Sequence, residues 1–216
     1  MLKKEKIQKQ LKLCSKEEII KKFRLTYEQT NKIDQYIYEI NKHNIHTNVV
    51  GKSTLKNPWV SHVLDSIPIG NFIHNKQGSI LDMGTGAGIP GMILAINNFT
   101  NVSLIDANLK KIKFIDSVCS KLKIEAIIYH QRIESLINTN FDFLVSRALA
   151  NLNKLFCYSQ KLMNNNTVLI FLKGKGVKEE IHEANKYWKF YYELYQSFSN
   201  KSGKIIVIKG LNKING

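Results

Sequence analysis

The stretch from Ile80 to Gly91 (Ile-Leu-Asp-Met-Gly-Thr-Gly-Ala-Gly-Ile-Pro-Gly) restricts the fold more than any other part of the chain. A short apolar run enters a glycine-rich turn and leaves it into a helical pattern. Glycine lets the backbone turn tightly and approach a ligand with no Cβ in the way. From Ser79 onward short apolar runs alternate with helical periodicity: strands are predicted at residues 80–83, 102–105, 126–128, 141–145, 168–172 and 204–208, and helices at 110–122 and 151–163. Such alternation implies crossover connections and a doubly wound, mostly parallel α/β sheet with helices on both faces. The aromatic run 189–195 is a further candidate strand. Turn chemistry at Asn200, Ser202 and Gly203 then predicts antiparallel pairing among the last two or three strands. A doubly wound sheet takes ligands beyond the carboxyl ends of its strands, so functional residues are expected just after each strand.

Two cofactors compete for the glycine turn. Gly86-x-Gly88-x-x-Gly91 matches the dinucleotide fingerprint, and Asp106 stands near the distance expected for a ribose contact. Asp82, two residues before Gly84, argues for the other cofactor. Pyrophosphate seated on the helix N-terminus is repelled by a carboxylate there. S-adenosylmethionine has no phosphate and carries an ammonium and a sulfonium, which a carboxylate under the turn suits. The spacing Gly84-x-Gly86-x-Gly88 also has the shape of the methyltransferase turn. The expected architecture is therefore a Rossmann-like class I S-adenosylmethionine-dependent methyltransferase domain over residues 76–216.

Each later strand end offers a candidate. Asp106 can accept both ribose hydroxyls, or cap the next helix, a task Asn108 can also perform. Ile133 and Glu134 follow the third strand, in place to flank an adenine ring; a solvated helix-start acid is the other reading of Glu134. Arg147, in Ser146-Arg147-Ala148, follows the fourth strand and suits a methionine carboxylate, an RNA phosphate, a guanine edge or a structural salt bridge. Lys173 and Lys175, in Lys173-Gly174-Lys175-Gly176, are either phosphate contacts or a solvated turn. No Asn/Asp-Pro-Pro-Tyr/Phe turn, the usual mark of exocyclic amine methylation, follows the fourth strand. Cys119 and Cys157 fall inside predicted helices, not where a nucleophile is wanted. An acceptor that needs no deprotonation, such as guanine N7, fits this set, with catalysis by positioning.

The first 75 residues read as a helical extension. Ser15 with Glu18, and Thr26 with Gln29, have capping-box spacing, and Asn57-Pro58 fits a helix start. Val60, Val63, Leu64 and Ile67 make an apolar face; His62, Asp65 and Ser66 share the polar one, which borders either the site or solvent. The chain carries a net charge of +15, which favours a polyanionic partner and binding that weakens with salt. Only Arg24, Arg132 and Arg147 are arginines, so a general bias toward lysine competes with that explanation. The lysines near the start (Lys3, Lys4, Lys6, Lys9, Lys12) are expected to form a basic surface. His43 and His46 lack further metal-ligand companions, no metal is expected, and three scattered cysteines suggest reduced thiols. No apolar run approaches a membrane span or a secretory signal, which predicts a cytoplasmic protein.

In His62-Val63-Leu64-Asp65-Ser66-Ile67, Asp82-x-Gly84-Thr85-Gly86-Ala87-Gly88-Ile89-Pro90-Gly91, Ser146-Arg147-Ala148 and Leu172-Lys173-Gly174, the chain resembles the bacterial small-subunit (16S) rRNA guanine-N7 methyltransferases, also called the glucose-inhibited division protein B family. The order and spacing of these motifs span nearly the whole chain. The resemblance implies S-adenosylmethionine as cofactor and a guanine of 16S rRNA, free or in the small ribosomal subunit, as substrate. It also implies cofactor contacts at Gly84, Ile89, Ile133, Glu134 and Arg147, with Asp106 at the ribose. The expected site thus comprises Asp82, Gly84, Gly86, Gly88, Ile89, Asp106, Ile133, Glu134 and Arg147 for the cofactor, Arg147 for catalysis, and His62, Lys173 and Lys175 for RNA, in a monomer. Asn48-Val49-Val50 and Ser61 depart from the family, which often has Asn-Leu-Thr and an arginine there. Other expectations are a methyltransferase for tRNA or a small molecule, a non-catalytic RNA-binding protein, and a nicotinamide-dependent oxidoreductase.

Overall fold

Side chains alternate across the central strands, and that alternation sorts the molecule into layers. The computed structural model describes residues 15–214; the lysines before Cys14 lie outside them. Seven strands, β1 (Ile80–Met83), β2 (Val102–Asp106), β3 (Ile127–His130), β4 (Phe141–Arg147), β5 (Met163–Lys173), β6 (Trp188–Gln196) and β7 (Lys204–Lys213), form one sheet in the order β3-β2-β1-β4-β5-β7-β6. Strands β1 to β5 pair in parallel, and β7 runs antiparallel to both β5 and β6. The chain winds outward from β1 to β3, then returns to lay β4 on the other side of β1. That reversal opens a crevice above the carboxyl ends of β1 and β4, where ligands of such sheets bind.

Ile80, Leu104, Val145, Ile170 and Val207 belong to one core cluster, while Leu81, Ile105, Leu144, Phe171 and Ile206 belong to the other. The first face is covered by α1 (Lys16–Phe23), α2 (Tyr27–Asn44), the helical run from Trp59 to Phe72, α4 (Gly91–Ile96) and α5 (Leu109–Leu122). The second face is covered by α6 (Leu152–Ser159) and α7 (Val177–Ala184). Ile19, Ile33, Tyr36, Ile40, Val63 and Leu64 share a single cluster with the sheet, so the N-terminal helices close its core.

Both capping boxes form. Ser15 Oγ accepts from the Glu18 amide and Thr26 Oγ1 from the Gln29 amide, each with the reciprocal bond. Asp34 ties three helical elements together by accepting from Lys16 Nζ at 2.5 Å and from Trp59 Nε1 at 3.0 Å. Asn57 caps the next run through the Val60 amide. That run is not a uniform helix: a π turn at Trp59–Val63 passes into α3 (Leu64–Ser66) and then a 3-10 segment, Ile67–Phe72. The expected polar face does not meet solvent. His62, Asp65 and Ser66 are only 3%, 7% and 0% exposed, because this run is packed on both sides.

The helix expected over 151–163 stops at Ser159, and β5 begins already at Met163. Asparagines are poor helix formers, and Asn164 turns the chain by donating its amide to Thr167 Oγ1. Thr167 Oγ1 in turn donates to the Phe141 carbonyl, stitching β5 to β4.

Candidate active site

The glycine turn leaves β1 with Gly84, Gly86 and Gly88 at φ of 65°, 62° and 99°. At Gly86 a Cβ would meet nothing nearer than the Gly84 and Val49 carbonyl oxygens at 4.0 Å, so the backbone conformation alone selects glycine there. Gly91 is required for packing: its Cβ would lie 2.3 Å from Leu104 Cδ2 and 3.0 Å from Asp82 Oδ2. Asp82 builds this turn from beneath. Its side chain is fully buried, and Oδ2 accepts from Thr85 Oγ1 at 2.6 Å and from the Gly91 amide at 2.9 Å. Oδ1 has no partner. Burial pushes the carboxyl up to about 7, although the Thr85 and Gly91 hydrogen bonds pull the other way. Asp82, expected as a cofactor contact, therefore holds the turn and is not in the lining of the cavity above it.

Asp106 ends β2 beside the same turn. Oδ2 accepts from the Gly86 amide at 3.0 Å, Oδ1 accepts from the Asn108 amide at 2.8 Å, and Lys111 Nζ lies 3.7 Å away. Asn108 caps α5, accepting from the amides of Lys110 and Lys111. Asp106 is thus free of capping and faces the turn. From the other side, Tyr36 of α2 donates its hydroxyl to the Ala87 carbonyl at 2.7 Å. Asn44, at the end of α2, accepts from the amides of Val49 and Val50 and holds that segment over the glycines.

A cavity of about 290 Å³ results, lined by Val49, Gly51, Thr54, His62, Gly84, Thr85, Gly86, Ile89, Lys111 and Arg147. Gly88 lies behind it, against Met92 and Tyr36. Two expected members, Ile133 and Glu134, are not among the residues that line this cavity. Ile133 is buried in the core of the second face, and Glu134 is exposed on the 3-10 turn Ile133–Ser135. They follow β3, whose carboxyl end is one strand farther from the crevice than that of β2.

Arg147 closes β4, and the chain then bends through Ala148 at φ 53°, a left-handed conformation uncommon for alanine. Ser146 fixes this strand end by donating to the Met83 carbonyl at 2.9 Å. Arg147 Nη1 lies 3.4 Å from His62 Nδ1. Burial pulls the guanidinium's pKa down, while Asp65, Tyr36 and Asp82 act in the opposite sense; arginine remains charged in either case. Arg147, Ala148 and Thr54 also line a second cavity of about 490 Å³, walled by Ser61, Asp65, Leu172, Lys173, Gly174, Ser197, Ser199, Asn200 and Lys204. Asp65 pins one wall: it accepts from Ser197 Oγ at 2.7 Å, from the Ser199 amide at 3.1 Å, and from Ser199 Oγ.

The expected RNA-contacting lysines separate. Lys175 is exposed on its turn. Lys173 is turned inward, bonded to Glu180 Oε2 and to the Ala150 carbonyl, each at 2.7 Å, and its side chain is 9% exposed. Glu180 also accepts from the Leu152 amide at the start of α6, so Lys173 organises the loop after β4 while lining the larger cavity. Tyr36, Thr54, Lys111, Ser197 and Ser199 were not singled out from the sequence. Among the described residues there is no group of three metal-ligating side chains, and no helix is long and apolar enough to cross a membrane.

An unpartnered oxygen of the buried Asp82 lies under the turn and Asp106 holds it from the side, while Lys111 and Arg147 are the charged side chains that line the cavity itself. Strand order, glycine turn and crevice together define a class I S-adenosylmethionine-dependent methyltransferase. Solved structures share the fold. A TehB-like methyltransferase from Corynebacterium glutamicum aligns with TM-score 0.54 at 14% identity, covering 68% of this chain and 88% of that one. The glycopeptide N-methyltransferase MtfA with S-adenosylhomocysteine aligns with TM-score 0.58 at 5% identity, covering 68% and 89%. Residues 29–212 match the family described as rRNA small subunit methyltransferase G, and the chain belongs to that family. Similar relatives named ribosomal RNA small subunit methyltransferase G include one from Rickettsia prowazekii, 41% identical over 81% of this chain and 91% of its own length. Another, from Orientia tsutsugamushi, is 38% identical over 87% and 93%.

Proposed function

We propose that the chain transfers a methyl group from S-adenosylmethionine to N7 of a guanine in 16S rRNA, with the donor in the smaller cavity and the acceptor base in the larger. The observation that carries this reading is the shared wall: Arg147, Ala148 and Thr54 line both cavities. When bound, S-adenosylmethionine supplies an electrophilic methyl on a sulfonium. Gly84, Gly86 and Ile89 shape the donor's bed, with Asp106 toward the ribose and the field of Asp82 beneath. Guanine N7 has an exposed lone pair and no proton to lose, so the residues need only orient the two partners and exclude water. Arg147 offers donors to the donor's carboxylate on one side and to guanine O6 on the other. Transfer moves positive charge toward the base, and Asp65 stands in the wall of the cavity that receives it. Lys175 and Lys204 give the rim positive charge for the RNA backbone.

The proposed working unit is a monomer, since residues of one chain line both cavities, and the proposed compartment is the cytoplasm. Purified protein, S-adenosylmethionine and small ribosomal subunits from cells lacking this activity test the reading, with modified guanines mapped by borohydride–aniline cleavage. Cleavage at one new position in 16S rRNA is expected. Methyl incorporation at another atom, or none, contradicts the proposal.

A further inference from the structure

His62 has no task in the reaction as set out above, yet it is the residue in contact with Arg147. It sits in the π turn Trp59–Val63, a geometry frequent at functional sites, and lines the donor cavity while only 3% exposed. Its Nδ1 lies 3.4 Å from Arg147 Nη1, and its Nε2 is buried with no partner. A guanidinium can only donate, so Nδ1 must offer a lone pair and the ring proton must sit on Nε2. Among the described residues Arg147 makes no ion pair with a carboxylate. The imidazole is thus its hydrogen-bonding partner, and Asp65 and Asp82 offset its charge only from beyond ion-pair distance at the wall between the two cavities.

We infer that His62 is a positioning residue for methyl transfer, whose neutral imidazole accepts from Arg147 and holds the guanidinium across the shared wall with its charge available to the ligands. A carboxylate in this place would fix the arginine equally well but neutralise it. Burial, and then Arg147 itself, hold the imidazole down to about 3. The charged or titratable groups around the pair are Arg147 from β4, Asp65 from α3, Tyr36 from α2 and Asp82 from β1. None of them presents a carboxylate to His62 within ion-pair distance. The buried Nε2–H is the group left to meet an acceptor on a bound ligand.

The inference rests on the proposed methyl transfer, so its test has one arm that does not. Nitrogen-15 spectra of the full chain are expected to show His62 protonated at Nε2 alone from pH 5 to 9; a charged ring or a proton on Nδ1 overturns the inference whether or not the chain methylates rRNA. In the kinetic arm, His62→Leu is expected to lower kcat by about 5- to 150-fold, the loss of one buried hydrogen bond. His62→Asn, which keeps an oxygen near the Nδ1 position, recovers most of that loss, and His62→Gln, with its oxygen near Nε2, recovers less. His62→Leu adds nothing in an Arg147→Ala background. Wild-type turnover in His62→Leu, full additivity with Arg147→Ala, or equal turnover of the Asn and Gln variants overturns it. Where His62→Leu does not fold, the Asn and Gln pair decides.

Discussion

Alanine at Gly86 and alanine at Gly91 should fail in opposite ways, although the two glycines share one turn. At Gly86 the added Cβ has no neighbour nearer than 4.0 Å, and the cost is the positive φ alone. That amounts to about 1–2 kcal/mol, or roughly 2–8 °C in Tm for a chain of this size. The methyl also stands where the backbone meets the donor cavity, so S-adenosylmethionine should bind at least about 10-fold more weakly, equivalent to ~1.4 kcal/mol. At Gly91 the Cβ would stand 2.3 Å from Leu104 Cδ2, well inside ordinary contact, and the shift it forces breaks the bond from the Gly91 amide to Asp82. Overpacking adds about 1–3 kcal/mol and the lost bond a similar amount, so Tm should fall by roughly 5–20 °C. Differential scanning fluorimetry reads the stabilities, and calorimetry with S-adenosylmethionine reads the binding. A Gly91→Ala protein as stable as wild type, or a Gly86→Ala protein that loses more stability than Gly91→Ala, refutes the assignment of packing to one glycine and conformation to the other.

Asp82 has a folded-state pKa of about 7, above its usual 3.8, so folding favours the protonated form. Its contribution to stability is therefore greatest below pH 4 and is lost as pH rises toward 7, by about 4 kcal/mol in all. Asp82→Asn should flatten that part of the stability–pH curve in urea titrations and weaken S-adenosylmethionine binding above pH 7; an unchanged slope contradicts the burial argument. Arg147→Lys keeps the charge but loses the planar fork, and kcat should drop by about 10- to 150-fold with the fold intact. Wild-type turnover in that variant shows the fork is not used. Asp65→Ala releases Ser197 and Ser199, and should raise KM for rRNA while leaving the S-adenosylmethionine Kd within about 2-fold, since Asp65 lines only the larger cavity. Equal loss of both affinities contradicts that division.

The centre of the sheet is legible because β1, β2 and β4 are buried on both faces and stand between turn signals. Ile80–Met83 was placed to the residue, and the antiparallel end followed from the Asn200–Gly203 turn. The caps were legible because a capping box is written within four residues. What the sequence concealed is long-range. Tyr36 meets Ala87 across 51 positions, and Asp65 meets Ser197 across 132, with no local pattern announcing either bond. The polar stripe of His62, Asp65 and Ser66 read equally well as site border or solvent face, because periodicity tells which residues share a side, not what lies opposite. The glycine neighbours of Lys173 fit a phosphate contact or a solvated turn; they give no sign that its ammonium pairs with Glu180, seven residues on, at the wall of the larger cavity. The spacing of Asp82 before Gly84 marks it as a cofactor contact, but its bonds run to Thr85 and Gly91, so it builds the turn. Ile133 and Glu134 follow β3, the strand beyond β2, and neither is in the lining of the smaller cavity.

Whether one arginine separates a donor cavity from an acceptor cavity is open to direct view. A crystal structure with S-adenosylhomocysteine and a guanine-containing oligonucleotide should show the sulfur above Gly84 and Gly86, the base against Asp65 and Ser199, and guanine N7 aimed past Arg147 at the sulfur. A base bound outside the larger cavity, or turned with N7 away from the sulfur, contradicts it.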